Sequence, residues 1–202
     1  MNKLLKQLWL FIGIYSIRKS ISLEKTCHMI TIIVGTNRHE SVSSMLADLY
    51  LSVLKENNAP AQILDLGDLP PDFIFSALYD NTGKNEAFNE LTAKLQLSEK
   101  FVFIVPEYNS SFPGVLKAFI DGMSYPNPLK GKKAALVGIS SGHQGATLAL
   151  SHLTDILNYL GMHVLAQKLK FAKIEENMTE NRLNNDLYIQ LLKEQVNALI
   201  QF

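Results

Sequence analysis

Short apolar runs alternate along the chain with longer stretches in which apolar residues recur every three or four positions. Residues 30–34 form a β-branched run that ends at Gly35, the pattern of a buried strand followed by a turn. Met45, Leu46, Leu49, Leu51, Val53 and Leu54 then suit one side of a helix. Ser41 or Ser43 is placed to cap it, and residues 57–60, Asn-Asn-Ala-Pro, to stop it. Residues 61–66 read as a second strand. Leu69-Pro70-Pro71 opens a loop that runs to Gly83, because proline lacks the amide a regular element needs. A helix is predicted over 85–98 and the clearest strand over 101–105. A helix over 113–123 follows, with Pro113 in its first turn, where the missing N–H is harmless. Residues 134–139 form a strand and 140–145 a polar turn. A long helix covers 146–159 and closes at Gly161. A last strand is expected over 162–165. A terminal helix is expected over 184–200, with Leu187, Leu191, Val196 and Ile200 on its inner side.

Strand and helix therefore alternate about five times, and the strands are continuous apolar runs. That pattern belongs to an α/β fold whose parallel sheet is covered on both faces. One domain over 29–202 accounts for it. Residues 1–28 read as an extension outside the fold. The apolar run 8–15, behind Lys3 and Lys6, is too short to span a bilayer, and no clean small-x-small cleavage site follows it. A short amphipathic helix packed on the domain, a partner or a membrane surface is the alternative. Hydrophobic residues make up 47% of the chain and charged residues 19%, which supplies a core and excludes a disordered chain. The 19 basic and 19 acidic side chains cancel, which argues against a general nucleic-acid binder. Cys27 is the lone cysteine, so no intramolecular disulfide forms, and a cytoplasmic location is the simplest fit.

In an open parallel sheet, ligands bind beyond the carboxyl ends of the strands. Three polar loops fall there, over 35–44, 106–114 and 140–145. The first joins a buried strand to a helix start. Its hydroxyls and backbone N–H groups suit a phosphate, and Arg38 offers a charge-assisted contact. It lacks the Gly-Lys-Ser/Thr ending of a nucleoside-triphosphate loop and the Gly-x-Gly-x-x-Gly of a dinucleotide fold. Helix capping alone would also explain Ser41 and Ser43. In the second loop, Tyr108 offers an aromatic wall and Asn109 a polar edge, as a flat cofactor requires. In the third, two glycines allow close backbone approach, and Ser141, His143 and Gln144 offer hydrogen bonds. No Gly-x-Ser-x-Gly elbow accompanies His143, so hydrolase chemistry ranks low. The five histidines lack metal-site spacing; His152, facing out of its helix, and His163, opening a strand, read as structural.

The run Pro106-Glu107-Tyr108-Asn109-Ser110-Ser111-Phe112-Pro113-Gly114-Val115-Leu116-Lys117, ending at Asp121, resembles the Pro-Glu-Tyr-Asn motif of the NAD(P)H-dependent FMN reductase family. That family includes azoreductase-like and chromate-reductase-like flavoproteins. Gly35-Thr36-Asn37-Arg38, followed by Ser41 and Ser43, is similar to the family's first loop, Gly-Ser-x-Arg-x-x-Ser-x-Asn, with Ser43 in place of asparagine. Gly122 stands where a tryptophan is common, and residues 141–145 match the third loop loosely. The likeness runs from Met29 to about Leu165. It implies a flavodoxin-like three-layer sandwich with a five-stranded parallel sheet, FMN as cofactor, and NADPH or NADH as co-substrate. Thr36, Arg38, Ser41 and Ser43 would hold the phosphate. Pro106, Glu107, Tyr108, Asn109, Ser110 and Ser111 would line the isoalloxazine ring. Ser141, Gly142, His143 and Gly145 would border its other edge, while Lys117 and Asp121 orient the second loop and the helix after it. Hydride would pass from nicotinamide to FMN and on to a quinone, azo, flavin or similar small acceptor, with no catalytic side chain and no metal. A homodimer or tetramer, without nucleic acid or a membrane span, is the implied assembly. An FMN-binding electron-transfer module with a protein donor, or a non-catalytic protein that retains the fold, remains as the alternative.

Overall fold

The computed structural model describes residues 29–202; the expectations for residues 1–28 lie outside them. The first apolar run forms β1, Met29–Val34, every residue of it buried after the first. It leads into α1, Val42–Glu56, capped by Ser41, whose side chain accepts the N–H of Ser44. β2, Ala61–Asp65, lies beside β1 in parallel. The stretch 69–83, expected as a loop, carries a one-turn helix α2, Phe73–Ser76, and a 3₁₀ turn. Leu69, Phe73 and Leu78 there are buried, and that burial organises a segment whose prolines mask any periodicity. α3, Glu86–Gln96, is capped by Asn85. β3, Ser98–Pro106, starts three residues earlier than its apolar run suggests, with Ser98 bonded to Thr31 of β1.

α4, Gly114–Asp121, starts directly after Pro113. β4, Lys133–Ile139, and α5, Thr147–Tyr159, follow as expected. β5, His163–Phe171, is twice as long as its apolar start. It is an edge strand, in which Leu169 and Phe171 are buried while Lys170 between them is exposed, so alternation replaces the continuous run. A small hairpin, β6 Met178–Thr179 with β7 Arg182–Leu183, precedes α6, Asp186–Gln201. The buried stripe of α6 is Leu192, Gln195, Val196 and Leu199, whereas Leu187 is exposed. Val196 is buried as expected and Leu191 and Ile200 pack at the edge of the stripe, so only Leu187 is misplaced; the stripe at i, i+3, i+4, i+7 is centred by the side that meets the sheet.

All five long strands are parallel in the order β2-β1-β3-β4-β5. This is the flavodoxin-like order, in which the chain reverses direction across the sheet between β1 and β3. α1 and α6 cover one face against Ile30, Ile32 and Val34. α3, α4 and α5 cover the other against Ile33, Phe101 and Phe103. The result is the three-layer sandwich implied by the motifs. The face covered by α1 and α6 also carries a buried polar tie: Gln195 accepts from the Tyr50 hydroxyl and donates to the carbonyls of Leu136 and Gln167.

Candidate functional site

The reversal point places the loops after β1, β3 and β4 side by side. The close approach begins at Gly35, where a Cβ would stand 2.7 Å from the Ile104 carbonyl oxygen of β3. A cavity of about 180 Å³ opens between the loops. From the first loop it is lined by Thr36, Arg38, Ser41 and Ser43, and by His39, Glu40 and Val42. Ser43 is 1% exposed and its Oγ has no hydrogen-bond partner among the described residues. It lies in the first turn of α1, where the Val42 and Ser43 N–H groups have no intrahelical acceptor. Arg38 is exposed and has no carboxylate partner among the described residues. An unpaired hydroxyl, two free N–H groups and an unpaired guanidinium at a helix N-terminus are the donor set of an anion site. Ser41 both lines the cavity and caps α1. Thr36 is already engaged: its hydroxyl accepts the Arg38 N–H at 3.3 Å and pairs with the Tyr108 hydroxyl at 2.8 Å.

Pro106, Glu107 and Tyr108 line the same cavity from the end of β3. Beyond them the chain turns tightly, with Asn109 and Ser110 both in the left-handed region. Asn109 and Ser110 are exposed and Ser111 is half-buried, all three outside the cavity wall. Glu107 ties the second loop to the third, because its carboxylate accepts the Ala146 N–H at 3.0 Å. In the third loop, Ser141 lines the cavity, while Gly142 and His143 are exposed beside it. Gly145 sits instead against β5: its φ is +57°, and a Cβ there would stand 2.9 Å from the Lys170 backbone. The loop is held by Ser140, whose Oγ accepts the Gly145 N–H and donates to the Gly142 carbonyl. Lys117 and Asp121 pair with each other across one turn of α4 at 2.7 Å.

Ile174 and Glu175 complete the cavity wall, and Ser141 donates to the Glu175 carboxylate at 2.6 Å. No motif announces these two; they arrive because β5 continues past its apolar start. A second cavity of about 450 Å³ lies on the β2 side of the first loop, against Leu69, Pro70 and Phe73. His39 borders both cavities. Beside it, burial raises the Asp65 carboxyl above its ordinary pKa, and the Gly67 N–H it accepts partly offsets this.

Comparison with known proteins decides the family. The family model described as NADPH-dependent FMN reductase matches residues 29–176. The chain belongs to the NADPH-dependent FMN reductase family. A 2-hydroxy-1,4-benzoquinone reductase from a Burkholderia species is 30% identical over 151 residues, covering 73% of this chain and 80% of that protein. An NAD(P)H-dependent FMN reductase of Pseudomonas aeruginosa is 30% identical over 144 residues, covering 69% and 78%. The structure of the Paracoccus denitrificans flavoenzyme FerB, an NAD(P)H:(acceptor) oxidoreductase, superposes with a TM-score of 0.72 at 26% identity, over 86% of this chain and 96% of that one. As an FMN-reductase-type flavoenzyme, the chain uses FMN with NAD(P)H as the hydride donor. The anion donors at the start of α1 fit the phosphate of that cofactor. No helix among the described residues is long and apolar enough to cross a membrane.

Proposed function

We propose that this FMN reductase family member passes electrons from NAD(P)H to a small quinone-type acceptor, with FMN held by its phosphate at the start of α1. The buried, unpartnered Ser43 Oγ carries the reading, because such a hydroxyl is costly unless a ligand oxygen meets it. Ser43, Arg38 and the first N–H groups of α1 hold the phosphate. Thr36 acts mainly through Tyr108, and Ser41 mainly as the helix cap. The 106–111 backbone and the Tyr108 ring line the isoalloxazine, and residues 141–143 border its far edge. Bound FMN supplies the two-electron chemistry between nicotinamide and acceptor. The protein binds and orients, and no side chain serves as an obligatory proton donor. A quinone acceptor is supported by the Burkholderia relative. A homodimer through α4, α5 and their neighbouring loops is supported by the exposed Tyr125, Leu148 and Tyr159.

The test is the visible spectrum of the purified protein before and after anaerobic addition of NADH or NADPH. Flavin bands bleached within seconds by one nucleotide, and restored by a benzoquinone, are expected. Bands that neither nucleotide changes would point to an electron-transfer module, and absence of flavin after incubation with excess FMN would end the proposal.

A further inference from the structure

The turn that follows Tyr108 is fastened at both ends. Tyr108 and Ser111 exchange both backbone hydrogen bonds, at 2.8 and 3.0 Å, closing a two-residue hairpin. Asn109 and Ser110 between them have φ of +51° and +60°. Asparagine tolerates that region, but serine takes it at a cost, so the surroundings must hold the turn. At one end Tyr108 reaches Thr36 of the first loop. At the other, Ser111 Oγ stands 3.0 Å from Nδ1 of His152, a residue of α5 lying 41 positions further along the chain. The sequence pattern sets His152 aside as a helix-surface residue, and the structure does place it on the surface, with its ring directed to this loop.

We propose that His152 is a positioning residue for the flavin site. Its imidazole, through Ser111, holds the 108–111 hairpin in the conformation that presents the loop to the isoalloxazine ring. The inference rests on the reading of residues 106–111 as the ring-lining loop. α5 is anchored to the core by Ala149, Leu150 and Leu153, so it offers a fixed point that the exposed turn lacks. Without the bond, the left-handed pair is free to relax, and the loop would have to be reordered each time the flavin binds.

The experiment is a fluorescence titration of the flavin-free full-length protein with FMN, for wild type, His152→Ala, His152→Asn, Ser111→Ala and the His152→Ala/Ser111→Ala double variant. His152→Ala and Ser111→Ala should each weaken FMN binding roughly threefold to tenfold, the range of one net hydrogen bond. Each should also shift the visible bands of bound flavin. The double variant should be no weaker than either single, because one bond is lost in all three. His152→Asn, whose amide can replace Nδ1, should recover affinity and spectrum. Wild-type affinity and an unshifted spectrum in His152→Ala would overturn the inference, as would additive losses in the double variant. Should His152→Ala fail to fold, an undiminished Ser111→Ala affinity would overturn it equally. A wild type that binds no FMN would overturn the flavin reading itself, which is a separate result.

Discussion

The Thr36 Oγ1 and the Tyr108 hydroxyl oxygen stand 2.8 Å apart, joining the loop after β1 to the loop after β3 across 72 positions of sequence. The two strands that carry them are neighbours at the reversal point of the sheet. Thr36 is 1% exposed, so its hydroxyl depends chiefly on partners within the protein. Tyr108 is therefore both a wall of the cavity and the strap that sets the distance between the two loops.

Tyr108→Phe keeps the ring and removes the strap. FMN affinity should fall about threefold to tenfold, the range of one net hydrogen bond. Tyr108→Ala should lose more, because the aromatic surface goes as well. Fluorescence quenching of FMN on titration into the flavin-free protein measures both; equal affinity in Tyr108→Phe and wild type would show that the strap does not shape the site.

Gly122 departs from the tryptophan common at this point of the family motif, and the structure gives the reason. A Cβ at Gly122 would stand 2.8 Å from Cζ of Phe88 and 3.1 Å from Leu78. The Phe88 ring, stacked on Phe73 and set edgewise to Phe119, fills the space beside the end of α4. Gly122→Ala should destabilise the domain by about 1–3 kcal/mol through overpacking. Urea unfolding reads this directly. The double change Gly122→Ala/Phe88→Leu should recover part of the loss.

Burial raises the Tyr50 phenol far above its ordinary pKa. A group whose folded pKa is raised contributes its full stability below the unfolded value and loses it as pH climbs past that value. The unfolded tyrosine ionises near about pH 10, so wild-type stability should fall above it by up to about 1.4 kcal/mol per pH unit from this residue. Tyr50→Phe should be about 1 kcal/mol less stable than wild type at neutral pH, having lost the bond to Gln195. That deficit should shrink and then reverse above about pH 10. Denaturant melts of both proteins across the alkaline range check the crossing; a constant difference would mean that the phenol ionises without unfolding the chain.

Much of this was legible beforehand because the signals were local. Residues 30–34, 101–105 and 134–139 are buried on both sides of the sheet, so their runs are almost wholly apolar or β-branched and their identity as strands is plain. Ser41, Asn57 and Pro113 mark helix ends by chemistry that needs only neighbouring residues. The first two loops carried enough of a motif to name the family. Harder were the segments whose order comes from remote partners. The 69–83 stretch is organised by Phe73 and Leu78 packing beneath α3 and α4, and β5 is an edge strand with lysines interleaved. The terminal helix buries Val196 as its pattern suggests, but the sheet, not the local pattern, centres the stripe on Leu192, Gln195 and Leu199 and leaves Leu187 exposed.

The sequence by itself determined the layer architecture, the three loops and the residue types available to an anion and a flat ring, since period, turn chemistry and motif are properties of adjacent residues. Only the tertiary structure decided what each of those residues does. It left Ser43 Oγ without a partner and engaged Thr36 with Tyr108; it also bonded Glu107 to Ala146 and turned His152 to Ser111. It also brought Glu175 to the cavity from beyond β5. The physical reason is that a hydrogen bond depends on atoms meeting within about 3 Å, and residues dozens of positions apart meet only where the order of the strands puts them side by side.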